Sequence, residues 1–195
     1  MSSIYSTSNS FIKTIATQVE QTAPGLGTIW TAFAVGRLDS GIGATSDTIL
    51  LYKSTNNGLT YNLYSRLATT AGYKIRNDEM DIEIIENAVQ KFIYLTLGYT
   101  SNGYTGQYRN ALVVYDIINN TLSSPILSFP GATASSKFYR PRITSDNAKY
   151  PFNSYVTISV IQDSTDGLNH FYMTRFCKIF NPYTTTPAIT YLPQN

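Results

Sequence analysis

The chain is predicted to be all-β, a β-propeller segment built of four-stranded antiparallel blades. Three observations carry this expectation: the composition, a set of short apolar runs bounded by turn residues, and a long internal period. Charged residues make up 13% of the 195 residues and apolar residues 43%, whereas an average soluble chain is about 25% charged. Ser, Thr, Asn, Gly and 16 Tyr replace the missing charge. Tyr, Thr, Ile and Val fit a pleated, half-buried surface, whereas the depleted Lys, Glu and Ala favour helix.

The period is visible at two independent strand positions. Three apolar runs, Gly27–Val35, Lys91–Tyr99 and Ser154–Ile161, begin 64 and 63 residues apart. A second set, Asp47–Tyr52, Asn110–Tyr115 and His170–Arg175, begins 63 and 60 residues apart. A weaker strand closes each unit, at Tyr61–Leu67, Ser124–Phe129 and Ala188–Leu192. An opening strand is expected at Phe11–Ile15 or near Val19, then at Asp81–Ile85 and Pro141–Thr144. Each unit thus reads as strands A to D joined by short polar turns, with blades at about 11–68, 78–130 and 139–194 of one propeller segment, 1–195. The B and C runs look apolar at consecutive positions, which predicts sheets covered on both faces.

A β-sandwich is the competing architecture, but it calls for one-sided alternation and no long period. Propellers usually carry four to eight blades, so three leave the ring incomplete. The expectation is therefore either a longer protein that supplies further blades or identical copies that associate. An uncovered blade face would otherwise be a large apolar patch.

Between the C and D strands of the first unit lies Ser54–Tyr61. Asn56 can cap nearby backbone amides there, and Gly58 can take positive φ. The segment resembles the Asp-box of sialidases, the bacterial neuraminidase repeat, whose pattern is Ser-x-Asp-x-Gly-x-Thr-Trp. Ser54, Gly58 and Thr60 match, Asn56 stands in the Asp position and Tyr61 in the Trp position. The resemblance implies a sialidase-like propeller with Ser54, Asn56, Gly58, Thr60 and Tyr61 as a structural rim turn. The corresponding segments 116–122 and 180–187 depart from the pattern. Tyr139–Ile143 distantly resembles the Arg-bearing first strand of sialidase blades, with Pro141 lying between Arg140 and Arg142.

A net charge of +2 and the lack of any Lys/Arg run argue against a nucleic-acid partner. No stretch approaches the ~18 apolar residues that cross a bilayer, so membrane insertion is not expected. The single cysteine, Cys177, cannot form an internal disulfide and reads as a small buried hydrophobe. Low charge with abundant Tyr, Asn and Thr predicts a secreted or cell-surface protein, although the first residues lack signal-peptide character.

Most glycosidases need two carboxylates facing each other across the bond. Asp81 and Glu83 instead share one face of one strand, and no catalytic residues are assigned. Asp78, Asp81 and Glu83 form a candidate Ca²⁺ site; no other cofactor is expected. Arg76, Arg140 and Arg142 recur at the connections between units, where a paired hydrogen bond could hold a carboxylate. The B–C connections 37–46, 100–109 and 162–169 are the main ligand-binding candidates, with Tyr104, Tyr108 and Arg109 foremost. His170 begins a strand and reads as structural. The expected function is a non-catalytic module that binds carbohydrate or a protein partner. The alternatives are a segment for self-assembly and a fragment of a sialidase-like glycoside hydrolase.

Overall fold

A computed structural model describes residues 10–23, 26–37, 47–68, 74–87, 89–100, 108–123, 126–127, 129, 136–146, 155–165 and 168–193. Three antiparallel sheets follow one another along the chain. The first is a meander of β1 (Ser10–Ala23), β2 (Leu26–Arg37), β3 (Thr48–Ser54) and β4 (Asn62–Ala68). The second runs β5 (Lys74–Glu86), β6 (Lys91–Thr100), β7 (Tyr108–Asp116) and β8 (Thr121–Ser123), with β9 (Ile126–Leu127) also pairing to β7. The third runs β10 (Lys137–Ser145), β11 (Tyr155–Thr165), β12 (His170–Phe180) and β13 (Ile189–Tyr191). The strand-A, B and C runs fall where the repeat put them, although all three extend further, the third C strand reaching Phe180. For the closing strand of the second unit, expected at Ser124–Phe129, the described residues show β9 within that range and β8 just before it.

The chain divides into two compact units, Met1–Asp78 with Thr100–Gly106, and Glu79–Tyr99 with Gln107–Asn195. In the first unit β2 is buried continuously from Trp30 to Gly36. Trp30 donates from Nε1 to Glu20 Oε2 at 3.1 Å, meets the Tyr64 ring edge-on at 5.0 Å, and carries Lys53 Nζ 5.0 Å above its centroid. The indole is thus fully buried with its one polar atom bonded, as an apolar interior requires.

A buried ionic cluster lies just before β3. Lys13 Nζ donates to Asp47 Oδ2 at 2.7 Å and to the Ile75 carbonyl at 2.9 Å. The Ile75 amide donates to the same carboxylate oxygen at 2.7 Å, and Lys74 Nζ stands 3.6 Å from Asp47 Oδ1. One carboxylate therefore ties β1 to the first residues of β5, and all three charged side chains are almost wholly buried. A buried charge is tolerated only with such partners.

In the second unit two sheets stack face to face. Ile85, Phe92, Tyr94, Leu112, Val114, Leu127 and Phe129 meet Phe138, Ile143, Val156, Ile158, Val160, Cys177 and Ile179 in one core. Burial pushes the Cys177 thiol up to about 12, as befits an inert hydrophobe. β6 and β7 are buried at nearly every position, so both faces of the second sheet are covered.

The third sheet departs from the expected pattern. Burial alternates along β11, with Val156, Ile158 and Val160 inside and Tyr155, Thr157, Ser159 and Ile161 on the other side. β12 does the same, burying Arg175, Cys177 and Ile179 while Phe176 and Phe180 stay exposed. Thr157 and Ser159 interrupt the apolar run at every second residue, which makes this a one-sided strand.

The turns reuse one backbone device. Asn57, Asn120 and Asn181 each take a left-handed φ, 57°, 54° and 50°, in the C–D turn of successive units; Asn tolerates that region better than most residues. Replacing Asp47 with Ala leaves Lys13 and Lys74 buried without their shared carboxylate. Urea denaturation of the Ala variant is expected to show a loss of about 3–5 kcal/mol.

Candidate functional site

The turn at Ser54–Tyr61 closes through its own side chains. The Gly58 amide donates to Ser54 Oγ at 2.9 Å, and Ser54 Oγ donates to Asn56 Oδ1 at 3.0 Å. Asn56 Oδ1 also accepts from the Thr60 amide at 2.9 Å, while Asn56 Nδ2 donates to Thr60 Oγ1 at 2.8 Å. Gly58 sits at φ 84°, where a side chain would be strained. Asn56 and Gly58 thus do what their chemistry predicts, and Tyr61 is exposed beside them. This network fixes a hairpin.

The carboxylates considered for Ca²⁺ are engaged within the protein. Asp81 accepts from the Ile82 amide at 3.0 Å and from the Ile143 amide at 3.1 Å. Glu83 Oε1 accepts the Ser145 hydroxyl at 2.8 Å. The bonds from the Ile143 amide and the Ser145 hydroxyl link β5 to β10, between equivalent positions of successive repeats. Asp78 is exposed at φ 57°. Among the described residues no group of three His, Cys, Asp or Glu side chains could hold a metal ion, so the proposed Ca²⁺ cluster is corrected.

Burial raises the Glu83 carboxyl pKa above its ordinary 4.5; the Ser145 hydrogen bond opposes this, and the Asp81 charge adds to it.

The arginines are placed differently. Arg76 is half-buried on β5. Arg140 lies in a β-bulge of β10 at φ 48°, with Pro141 beside it, between the pairs Tyr139–Ile161 and Arg142–Ser159. Bulges re-aim side chains, and both Arg140 and Arg142 are exposed, Arg142 Nη1 donating to the Pro141 carbonyl at 2.9 Å. Arg109 is half-buried near the start of β7. Tyr104 lies outside the described residues.

Around Tyr108 the structure does gather a site. The Tyr108 and Tyr139 rings lie 5.4 Å apart, tilted by 41°. Lys137 Nζ stands 5.7 Å over the Tyr108 ring, within cation–π range. Lys137 pairs across the ladder with Asp163, and Asp163 pairs with Tyr172, so the three cross β10, β11 and β12 in one row. His170 Nδ1 is 3.0 Å from Asp163 Oδ1, and the imidazole is nearly parallel to the Tyr172 ring at 6.2 Å. The carboxylate is mostly buried, whereas the imidazole is 58% exposed. Gln162 lies behind the row, donating to Ser136 Oγ at 3.1 Å and Ser164 Oγ at 2.7 Å.

All of these residues sit at the B–C end of the sheets, where β7, β10 and β12 begin and β11 ends. Their rings offer flat apolar faces beside a carboxylate, an imidazole and an ammonium. Such a combination suits a polar ligand with apolar patches, a sugar ring among them. The B–C connection 162–169 was legible as a candidate. Lys137, Tyr139 and Tyr172 were not, and His170 read as structural. Only the strand registers bring these four together.

No protein-family model matches the chain, and no curated protein sequence matches it significantly. Solved structures do. A mutant α-L-arabinofuranosidase from Fusarium graminearum, bound to an iminosugar inhibitor, matches with a TM-score of 0.56 and 11% identity over 92% of this chain and 50% of that one. The GH93 α-L-arabinofuranosidase of the same organism, with arabinobiose, matches at 0.51 and 12% over 85% of this chain and 45% of that one. The chain therefore has a propeller-like fold and spans about half the length of the structures it matches. These structures are of enzymes, and on that finding the expectation of a non-catalytic module is corrected.

A raised carboxyl pKa has a signed consequence for stability. The folded state holds the Glu83 proton more tightly than the unfolded one, so this group's contribution is present below 4.5 and lost as pH rises through the raised value. Glu83→Gln is expected to raise the thermal midpoint at neutral pH and to change it little below the ordinary value, as followed by circular dichroism.

Proposed function

We propose that this chain is part of a glycoside hydrolase-like propeller that binds saccharide at the B–C end of its second unit. The observation that carries the reading is the row Tyr139, Tyr108, Lys137, Asp163, His170 and Tyr172, set at one end of a propeller-like fold. Tyr108 and Tyr172 offer ring faces to the apolar side of a sugar. Asp163 and His170 exchange hydrogen bonds with its hydroxyls, and Lys137 donates.

The matched arabinofuranosidases, with arabinobiose and an iminosugar as their ligands, support arabinose-containing oligosaccharides as the first ligands to try. A closer kinship with sialidases rests on the turn at Ser54–Tyr61. A secreted or cell-surface setting follows from the low charge and the Tyr-rich composition.

Calorimetric titration with an arabino-oligosaccharide is expected to give saturable binding. Tyr108→Ala and Tyr172→Ala should each weaken it about tenfold, a loss of about 1.4 kcal/mol, while Arg66→Ala on β4 leaves it unchanged. A folded chain that takes up none of a panel of neutral and acidic oligosaccharides would sink the reading.

A further inference from the structure

We propose that Asn57–Gly58 is a latent self-modification site, an asparagine that converts to aspartate and isoaspartate, and that the Ser54 hydroxyl holds it closed. Asn57 is exposed at the tip of the hairpin joining β3 to β4. It takes φ 57°, and the glycine after it takes φ 84°. An asparagine followed by glycine is open to internal attack, because no side chain shields the glycine nitrogen. Hydroxide removes the Gly58 amide proton, and the nitrogen attacks Asn57 Cγ. A ring C–N bond forms, and the side-chain nitrogen leaves as ammonia with a proton from water. Water then opens the cyclic imide at either carbonyl, leaving aspartate or the isomer whose main chain runs through the side-chain carbon.

The left-handed asparagine recurs at Asn120 and Asn181, but their neighbours oppose the reaction. Thr121 sets a branched side chain beside its own nitrogen, and Pro182 has no N–H to lose. Of the three turns, the first alone places glycine there.

The same turn restrains the attacking atom. The Gly58 N–H donates to Ser54 Oγ at 2.9 Å, and the deprotonated nitrogen would forfeit that bond. Ser54 is buried and is itself fixed by donating to Asn56 Oδ1 at 3.0 Å. The Leu59 amide, donating to the Asn56 carbonyl at 3.2 Å, pins the backbone on the far side of the pair. Closing the ring also means turning the Gly58 nitrogen toward Asn57 Cγ. Tyr61 Oη and Ile29 Cδ1 lie 3.3 and 3.5 Å from the place a Gly58 Cβ would take, so the peptide has little room to turn. Conversion would add a negative charge to the hairpin, and the isomer would lengthen its main chain by a carbon.

The test holds the purified chain in mildly alkaline buffer and follows conversion at Asn57 by peptide-resolved mass spectrometry, with isoaspartate read by enzymatic methylation. Asn102–Gly103, the chain's other Asn–Gly pair, lies outside the described residues and is resolved on its own peptide. The folded chain is expected to convert slowly at Asn57, and the same chain in urea several times faster. Ser54→Ala should convert about fivefold faster than the native chain, the gain from losing one hydrogen bond. Thr60→Ala removes the neighbouring bond from Asn56 Nδ2 but not the one on the Gly58 amide, and should stay near the native rate. Asn57→Gly tolerates the left-handed backbone and should abolish the signal at that position. A Ser54→Ala rate equal to the native one, or an equal acceleration by Thr60→Ala, overturns the proposal. So does a native chain that converts as fast folded as in urea.

Discussion

A strand that is apolar on both sides is stable only when both faces of its sheet are covered, and this constraint organises the protein. β6 and β7 meet it along nearly their whole length. Once the faces are committed to stacking, polar chemistry is driven to the strand ends and the turns. Where a charge must cross the stack it is bonded on arrival, as Asp47 is by Lys13 and the Ile75 amide. Glu83 and Asp81 obey the same rule against Ser145 and the Ile143 amide.

Much of this was legible along the chain because strand patterning is local. Lys91 and His170 begin strands where the repeat placed them, and Asn56 and Gly58 announce their own turn. The third sheet misled for a physical reason: Thr157 and Ser159 are tolerated in an apolar run, yet their spacing of two marks a one-sided strand. The candidate row was half legible. Tyr108 stood out as an aromatic beside a B–C loop. Its partners Tyr139 and Lys137 come from another strand about thirty residues on, and no local pattern reports a cross-sheet contact. Asp163 and His170 are near in sequence, but their pairing follows from the β11–β12 register.

The same separation divides scaffold from function. The network at Ser54–Tyr61 builds one hairpin, and the left-handed Asn57, Asn120 and Asn181 recur in the turn between the third and fourth strands of each repeat. The row at the B–C end gathers groups that a packed sheet has no need of: half-buried and exposed tyrosine rings, a part-exposed imidazole and a buried carboxylate. A fold supports many chemistries, so the proposed saccharide binding is argued from that row rather than from the repeat.

The most direct measurement is a map of where a saccharide touches the chain, from amide chemical shifts or hydrogen exchange with and without an arabino-oligosaccharide. Perturbations centred on Tyr108, Lys137, Tyr139, Asp163, His170 and Tyr172 are the predicted result. Perturbations centred on the turn at Ser54–Tyr61, with that row unaffected, would contradict it.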